Sequence, residues 1–186
     1  DTPQALAERY GPNYRWFVTI TGMVGVVAMV LAMTTVNVAV PDVMGAFGIG
    51  QDKAQWMSSA YMATMTAGML INAWLSGVLG ERRTFVGALF FFSVGALMGG
   101  MAPTEDALIF ARVLQGAVSG PMIPGSQALL IMIFPPHKRG TALAIYSLGV
   151  PIGTGLGNLV GGKIGGEFGW RAAFLITGGL GFLWLQ

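Results

Sequence analysis

The chain has 186 residues, of which 54% are hydrophobic and 10% are charged, and its formal net charge at pH 7 is +2. A soluble domain carries roughly a quarter charged residues, so this composition excludes an ordinary soluble fold and indicates a surface that faces lipid. The absence of cysteine excludes disulfides and cysteine-ligated metal sites, and the small, scattered charge gives no basis for nucleic-acid binding. We therefore expect an all-α integral membrane protein without a metal or a cofactor.

Six apolar stretches predict helices that cross a bilayer. A span needs about 20 apolar residues, because a rise of roughly 1.5 Å per residue must cover about 30 Å. The last stretch is about five residues short of this length, so we expect the chain to be the first part of a longer protein. We assign residues 1–14 to a cytoplasmic segment and 15–186 to a six-helix bundle whose last helix is incomplete. The predicted spans are residues 17–40, 54–80, 84–104, 107–136, 140–162 and 172–186.

The distribution of basic residues predicts the orientation of these spans. Lysine and arginine are about twice as frequent in the loops on the N-terminal side as in the opposite loops, and such loops stay in the cytoplasm. We therefore predict a multi-pass protein of a bacterial inner membrane with a cytoplasmic N-terminus. Six spans with short loops are typical of half a transporter.

Arg112 is the one charge that lies deep within a predicted span. An unpaired charge in the bilayer is costly, so we expect its side chain to face the bundle interior, where Gln115 shares its helix face. The alternative is that Arg112 extends to the outer interface. The prolines at 121 and 124 follow on the same helix and are expected to kink it, and broken helices often line binding sites at the midplane. The simpler interpretation is that the small residues around them only pack.

Three further side chains are candidates for substrate contact. Asn37 lies near the outer end of the first span, where a buried amide more often bonds a neighbouring helix than a ligand. Trp56 and Tyr61 in the second span have the ring faces to stack on a flat organic substrate, although packing at the interface is equally expected.

Glycines recur at every fourth position of the fifth span. On a helix this spacing lines one face with glycine, and that face must meet another backbone at close range. A smooth seal between two moving helices is one use of such a surface, and static packing is the other. The residues are Gly149, Gly153, Gly157 and Gly161.

The sequence contains neither a Walker loop nor a Ser/His/Asp set, and we predict that the protein is not an enzyme. Four segments instead carry short motifs with fixed spacing between their residues. They are Thr34-x-Val36-Asn37-Val38-Ala39-x-Pro41, Gln55-Trp56 with Ala60-Tyr61-Met62, Leu108-x-x-x-Arg112-x-x-Gln115-Gly116, and Gly169-Trp170-Arg171-x-x-Phe174.

In order and spacing, these segments resemble the major facilitator superfamily, and within it the fourteen-span drug:proton antiporters of the EmrB/QacA type. The resemblance covers the chain from about Arg15 to its end. It implies the six-helix bundle that forms the N-terminal half of such a transporter. It also implies that Arg112 takes part in proton transfer, with Gln115 and Asn37 beside it.

Three positions depart from the family pattern. The first-helix motif usually has aspartate where this chain has Ala32, and the loop after the second helix usually has an Asp-Arg pair where it has Gly77 and Val78. Asn158 replaces the proline of the fifth-helix antiporter motif. The departures imply altered gating, and proton coupling that is changed or uses a carboxylate elsewhere. The retained members of the gate loop are Gly80, Arg82 and Arg83.

The leading prediction is a secondary active transporter that exports drugs or other amphipathic small molecules in exchange for protons. One alternative is a metabolite importer or uniporter without proton coupling, and the other is a non-transporting sensor on a transporter scaffold. The expected partners are the small organic substrate, protons, the lipid bilayer and an adaptor protein in the periplasm.

Overall fold

The computed structural model describes Gly11 and residues 14–183, and in this range helices joined by short turns form one bundle. Five of the helices are long and apolar enough to cross a membrane, and the sixth has 14 residues within the described range. This architecture confirms the predicted all-α membrane fold. The helices are α1 (Tyr14–Phe47), α2 (Gln51–Leu79), α3 (Glu81–Gly100), α4 (Glu105–Ile133), α5 (Pro136–Phe168) and α6 (Trp170–Leu183).

Short connections make successive helices run in opposite directions. Gly80 alone joins α2 to α3, with a φ of 83° that favours glycine. Thr104 caps α4, because its side chain accepts a hydrogen bond from the backbone N–H of Ala107 at 3.3 Å. The ends of the helices therefore gather at two faces. We call them the N-terminal face, where α1 begins, and the opposite face, where α1 ends.

The main packing pairs include helices that are distant in sequence. α1 packs on α5, α2 packs on α4, and α3 packs on both α4 and α6. Near the opposite face, Val43, Leu108 and Phe174 belong to one buried cluster, in which the Trp170 ring lies 5.9 Å from that of Phe174. Near the N-terminal face, Tyr14 belongs to a second cluster with Leu130, Phe134, Tyr146 and others. The bundle thus has an apolar core at each end.

α1 is longer than predicted. The predicted span stopped at Val40, before Pro41, whereas the helix continues through this proline to Phe47. A proline removes only one backbone hydrogen bond from the ladder. Val43 is 1% exposed, and Met44 packs on the same cluster, so apolar burial holds the helix together beyond the proline.

α4 is interrupted near its middle, as the prolines predicted. Its two regular parts, Glu105–Ser119 and Met122–Ile133, are separated by Gly120 and Pro121. Gly120 lies so close to α2 that a Cβ there would be 2.5 Å from the backbone nitrogen of Met69. The break therefore coincides with the close approach of two backbones.

α5 contains a feature that the sequence did not predict. A π-helical turn, Val160–Ile164, follows the regular part Gly149–Leu159 and precedes Gly165–Phe168. Single π turns inside α-helices are frequent at functional sites. α5 is therefore locally wider near the opposite face than an ideal helix.

Candidate functional site

A buried polar core lies between α2 and α4. Arg112 and Tyr61 are 1% exposed, and Gln115 and Ser119 are fully buried. Arg112 therefore faces the bundle interior, as predicted, and does not extend to the outer interface. Gln115 lies beside it on the same helix face.

Each member of the polar core contacts the next. Arg112 Nη1 donates a hydrogen bond to Gln115 Oε1 at 2.8 Å, and Arg112 Cζ lies 4.2 Å from the centroid of the Tyr61 ring. A desolvated cation over an aromatic face is stabilised by about 2 kcal/mol. The Tyr61 hydroxyl donates to Ser119 Oγ at 3.1 Å, and that hydroxyl donates to the carbonyl of Gln115 at 2.6 Å. The ring and the hydroxyl of Tyr61 thus connect α2 to both ends of the cluster.

The polar core holds a positive charge that is incompletely paired. Within residues 14–183, Arg112 Nε and Gln115 Nε2 are buried without a hydrogen-bond partner, and no acidic side chain forms an ion pair with Arg112. Leaving buried donors and a buried charge unpaired costs free energy, so such sites are retained for function more often than for stability. Arginine stays protonated in proteins. Arg112 can therefore bias a neighbouring titratable group but cannot itself carry the transported proton.

Close backbone contacts bring three helices to the polar core. A Cβ at Gly116 would overlap the carbonyl oxygen of Tyr61, and a Cβ at Gly95 of α3 would lie 2.7 Å from Gln115 Cγ. The glycines therefore let α2 and α3 approach α4 from two sides. This packing fixes the Tyr61 ring against the guanidinium and orients the Gln115 amide.

The structure places the remaining substrate candidates outside this core. Asn37 Oδ1 accepts a hydrogen bond from Ser58 Oγ at 3.0 Å, so its partner is on α2 and not in the Arg112 cluster. Trp56 is 62% exposed whereas Tyr61 is 1% exposed. The two residues are five positions apart, which on a helix corresponds to one full turn and a further rotation of about 140°. Their rings therefore point to different sides of α2. They do not form one stacking surface.

The glycine face of α5 meets another backbone at close range, as predicted, and that backbone belongs to α1. All four glycines are buried, and a Cβ at Gly149 or Gly153 would lie 3.0 Å from the carbonyl oxygen of Met23 or Val27, respectively. Asn158, which stands where the motif has proline, lies on the exposed side of the same helix. The backbones of α1 and α5 therefore touch over most of the glycine face.

The turn between α2 and α3 is held by contacts that sequence reasoning missed. Arg82 and Arg83 are exposed at the N-terminal face, after the turn at Gly80. Ser76 Oγ lies 3.2 Å from Asn72 Oδ1 and 3.1 Å from Glu81 Oε2. The sequence feature that could have indicated these contacts is Glu81, a carboxylate directly before Arg82 and Arg83.

A separate apolar groove opens at the N-terminal face between α1, α3 and α4. Its volume is about 450 Å³, and Arg82 is its one charged lining residue. It shares no residue with the polar core. The other lining residues are Tyr14, Phe17, Val18, Thr21, Phe85, Val86, Leu129 and Ile133.

Two substitutions of Tyr61 separate its hydroxyl from its ring. We expect Tyr61→Phe to lower the unfolding free energy by about 1 kcal/mol, since one hydrogen bond to Ser119 is lost. Tyr61→Leu also removes the ring face under Arg112 and is expected to cost about 2 kcal/mol more. Thermal melts of the full-length protein in detergent measure both effects. Equal melting temperatures for the two variants would show that the ring does not stabilise the guanidinium.

Comparisons with known proteins agree with this architecture. The family model described as Major Facilitator Superfamily matches residues 22–185. The chain is 36% identical over 168 residues to the probable multidrug resistance protein EmrY of Escherichia coli, covering 90% of this chain and 33% of the relative. It is 39% identical over 123 residues to the multidrug export protein EmrB of Haemophilus influenzae, covering 66% of this chain and 24% of the relative. The chain therefore spans about a third or less of the length of these relatives.

Solved structures show the same fold at low sequence identity. A bacterial homologue of the human lysosomal transporter Spinster, in an inward-facing and occupied conformation, superimposes with a TM-score of 0.83 at 21% identity, covering 94% of this chain and 43% of that one. The xylose transporter XylE from E. coli, inward open, gives 0.80 at 17% identity, with coverages of 92% and 46%.

Proposed function

Because the chain belongs to the Major Facilitator Superfamily, we propose that it is the N-terminal bundle of a secondary active transporter that exports amphipathic small molecules in exchange for protons. The buried and incompletely paired Arg112 is the observation that supports this most directly, because such a charge lowers the stability of a helix bundle and does not contribute to it. Similarity to relatives named as multidrug resistance and export proteins supports the substrate class.

In the proposed mechanism, two helix bundles rock around a site at the bilayer midplane. Arg112, held by Gln115 and Tyr61, supplies a fixed positive charge. A carboxylate in the remainder of the protein binds and releases the transported proton. Desolvation raises the pKa of such a group and favours the protonated form, whereas a nearby positive charge lowers its pKa and favours release. Approach to and withdrawal from Arg112 would then switch that carboxylate between its charged and neutral forms.

A second candidate is a metabolite transporter without proton coupling. The position where the first-helix motif usually has aspartate is Ala32, which is 4% exposed and packs in an apolar cluster with Ala28 and Phe92. A carboxylate is absent there, and the side chain at this position packs against apolar neighbours. This observation favours transport that does not depend on a proton gradient.

We also propose the orientation and location that the basic loops predict. Arg82, Arg83 and Lys138 are exposed at the N-terminal face, which would be cytoplasmic by the positive-inside rule. The membrane would be a bacterial inner membrane. An adaptor protein in the periplasm stays a prediction.

Flux measurements on full-length protein in liposomes test the proposed function. An imposed pH gradient is expected to drive accumulation of a lipophilic cationic dye, and an ionophore that collapses the gradient is expected to abolish it. Dye flux that is the same with and without the pH gradient would support the second candidate, a transporter without proton coupling. Binding of dye without flux, under either condition, would contradict both and indicate a sensor.

A further inference from the structure

Three side-chain oxygens meet where the turn between α2 and α3 lies against α4. Asn72 Oδ1 and Glu81 Oε2 lie 3.2 Å and 3.1 Å, respectively, from Ser76 Oγ. Asn72 is 8% exposed, and the other two residues are half-buried. We call these three residues the oxygen cluster. A Cβ at Gly125 of α4 would lie 3.3 Å from Glu81 Oε2 and 3.7 Å from Asn72 Oδ1, so both oxygens face a part of α4 that carries no side chain.

The oxygen cluster has more acceptors than hydrogens. A hydroxyl carries one proton, so Ser76 can donate to Asn72 Oδ1 or to Glu81 Oε2 but not to both. Amide and carboxylate oxygens only accept, and within residues 14–183 neither of these two accepts a hydrogen bond from another donor. At least one oxygen therefore needs a further partner, and a cation would satisfy all three at once.

The negative charge of the oxygen cluster is not neutralised by the bundle. Among residues 14–183, Glu81 is the one acidic residue at the N-terminal face, and no basic side chain in this range forms an ion pair with it. Arg82 and Arg83 follow it directly but are exposed. The other acidic residues of this range belong to the opposite face and are Asp42, Asp52, Glu105, Asp106 and Glu167.

The spacing and the charge of the oxygens suit Na⁺. Oxygen ligands lie about 2.4 Å from a cation of this size, as they do from Ca²⁺. Two such ligands that are 3.1 Å apart subtend about 80° at the cation, close to the angle between neighbouring ligands of an octahedron. Ca²⁺ sites commonly contain several carboxylates, whereas this cluster supplies a single negative charge. A monovalent ion therefore matches it, and water can complete the coordination because Glu81 is half-buried.

We propose that the oxygen cluster binds one Na⁺ ion between the turn at Gly80 and the second part of α4. Each of the three side chains supplies one oxygen, and the hydroxyl of Ser76 turns its proton away from the ion. The ion neutralises Glu81 and holds the turn against Met122–Ile133. The sequence did not predict this site, because its ligands meet only at the turn. The inference goes beyond the proposed function, since binding of the ion is measured without transport.

Thermal melts of the full-length protein in detergent test whether the ion stabilises the fold. We expect the melting temperature to rise with NaCl and to saturate, relative to choline chloride of equal ionic strength, because an ion that binds only the folded state stabilises it. Glu81→Gln keeps an acceptor for Ser76 and removes the charge, so it should fold and lose this rise. Glu105→Gln is the matched control, since that carboxylate pairs with Lys53 at the opposite face, and it should keep the rise. No rise in the wild type, or an equal rise in Glu81→Gln, would overturn the proposal.

Binding of radioactive Na⁺ to the purified full-length protein measures the site directly. We expect saturable binding that unlabelled NaCl displaces and that KCl at the same concentration does not. Glu81→Gln should weaken it by at least about tenfold, because even groups that only support a metal ligand contribute that much. Gly125→Ala should also weaken it, since the added methyl group lies against two of the oxygens. Binding that both variants leave unchanged would place the ion elsewhere in the protein and contradict the site, and equal displacement by KCl would contradict Na⁺ as its ligand.

Discussion

Replacing Arg112 by alanine is expected to reduce gradient-driven transport to the level of protein-free liposomes. The guanidinium is the charge that the proposed mechanism places next to a titrating carboxylate, and within the described residues it forms no ion pair whose loss would unfold the bundle. Folded protein should therefore remain in the membrane at wild-type amounts. Flux and the size-exclusion profile of the same preparation measure the two quantities.

Two further variants show whether charge or packing is responsible. Arg112→Met keeps most of the side-chain volume and removes a buried, unpaired charge, so the melting temperature should not fall while transport is still lost. Arg171→Ala is the matched control: that guanidinium lies 5.2 Å from the Trp170 ring and donates to the carbonyl of Ala102, but the residue is exposed. We expect Arg171→Ala to transport normally. Wild-type flux in Arg112→Ala would remove this residue from the mechanism.

Gly157→Val is expected to destabilise the folded bundle strongly. A Cβ at this position would overlap Thr34 Oγ1 and lie 3.1 Å from the carbonyl oxygen of Leu31, so α1 and α5 would have to separate. Overpacking a close-packed interface costs typically about 1–3 kcal/mol. Here it also disturbs the hydrogen bond that the Thr35 hydroxyl donates to the carbonyl of Gly157 at 3.3 Å. The yield of monodisperse full-length protein and its melting temperature should both drop.

The matched control for this substitution is Gly155→Val on the same helix. No atom lies within 4 Å of a Cβ built at Gly155, so the two variants share the change in helix propensity and differ only in contact with α1. We expect Gly155→Val to fold with a nearly unchanged melting temperature. Similar melting temperatures for both variants would show that the glycine face does not hold the two helices together.

Most of the fold could be predicted because the length and polarity of a membrane span follow from local sequence. The burial of Arg112 was also predictable, because a charge is costly in lipid. The close contact at Gly153 was predictable because the glycines recur at every fourth position of one helix. The continuation of α1 beyond Pro41 was missed, because the tertiary contacts of Val43 outweigh a local signal.

The partners within the site were not predictable in the same way. Tyr61 had been grouped with Trp56, its neighbour in sequence, whereas its contacts are with Arg112 and Ser119 on another helix. The π turn of α5 depends on backbone hydrogen bonds that no residue pattern specified. The contact of Glu81 with Ser76 was not predictable either, because it arises only from the tight turn between α2 and α3. The roles of Arg112, Gln115 and the gate loop stay predictions.

The pairing of α1 with α5 has a consequence for biosynthesis. Thr35 and Gly157 are separated by 122 positions, so α1 enters the bilayer long before its main partner exists. At roughly 5–20 residues per second, the ribosome needs on the order of ten seconds to produce that partner. During this interval the face of α1 that α5 will cover is open to lipid or to other nascent chains. Substitutions in the interface between α1 and α5 should therefore be recognised by membrane quality control early, before any transport defect can be observed.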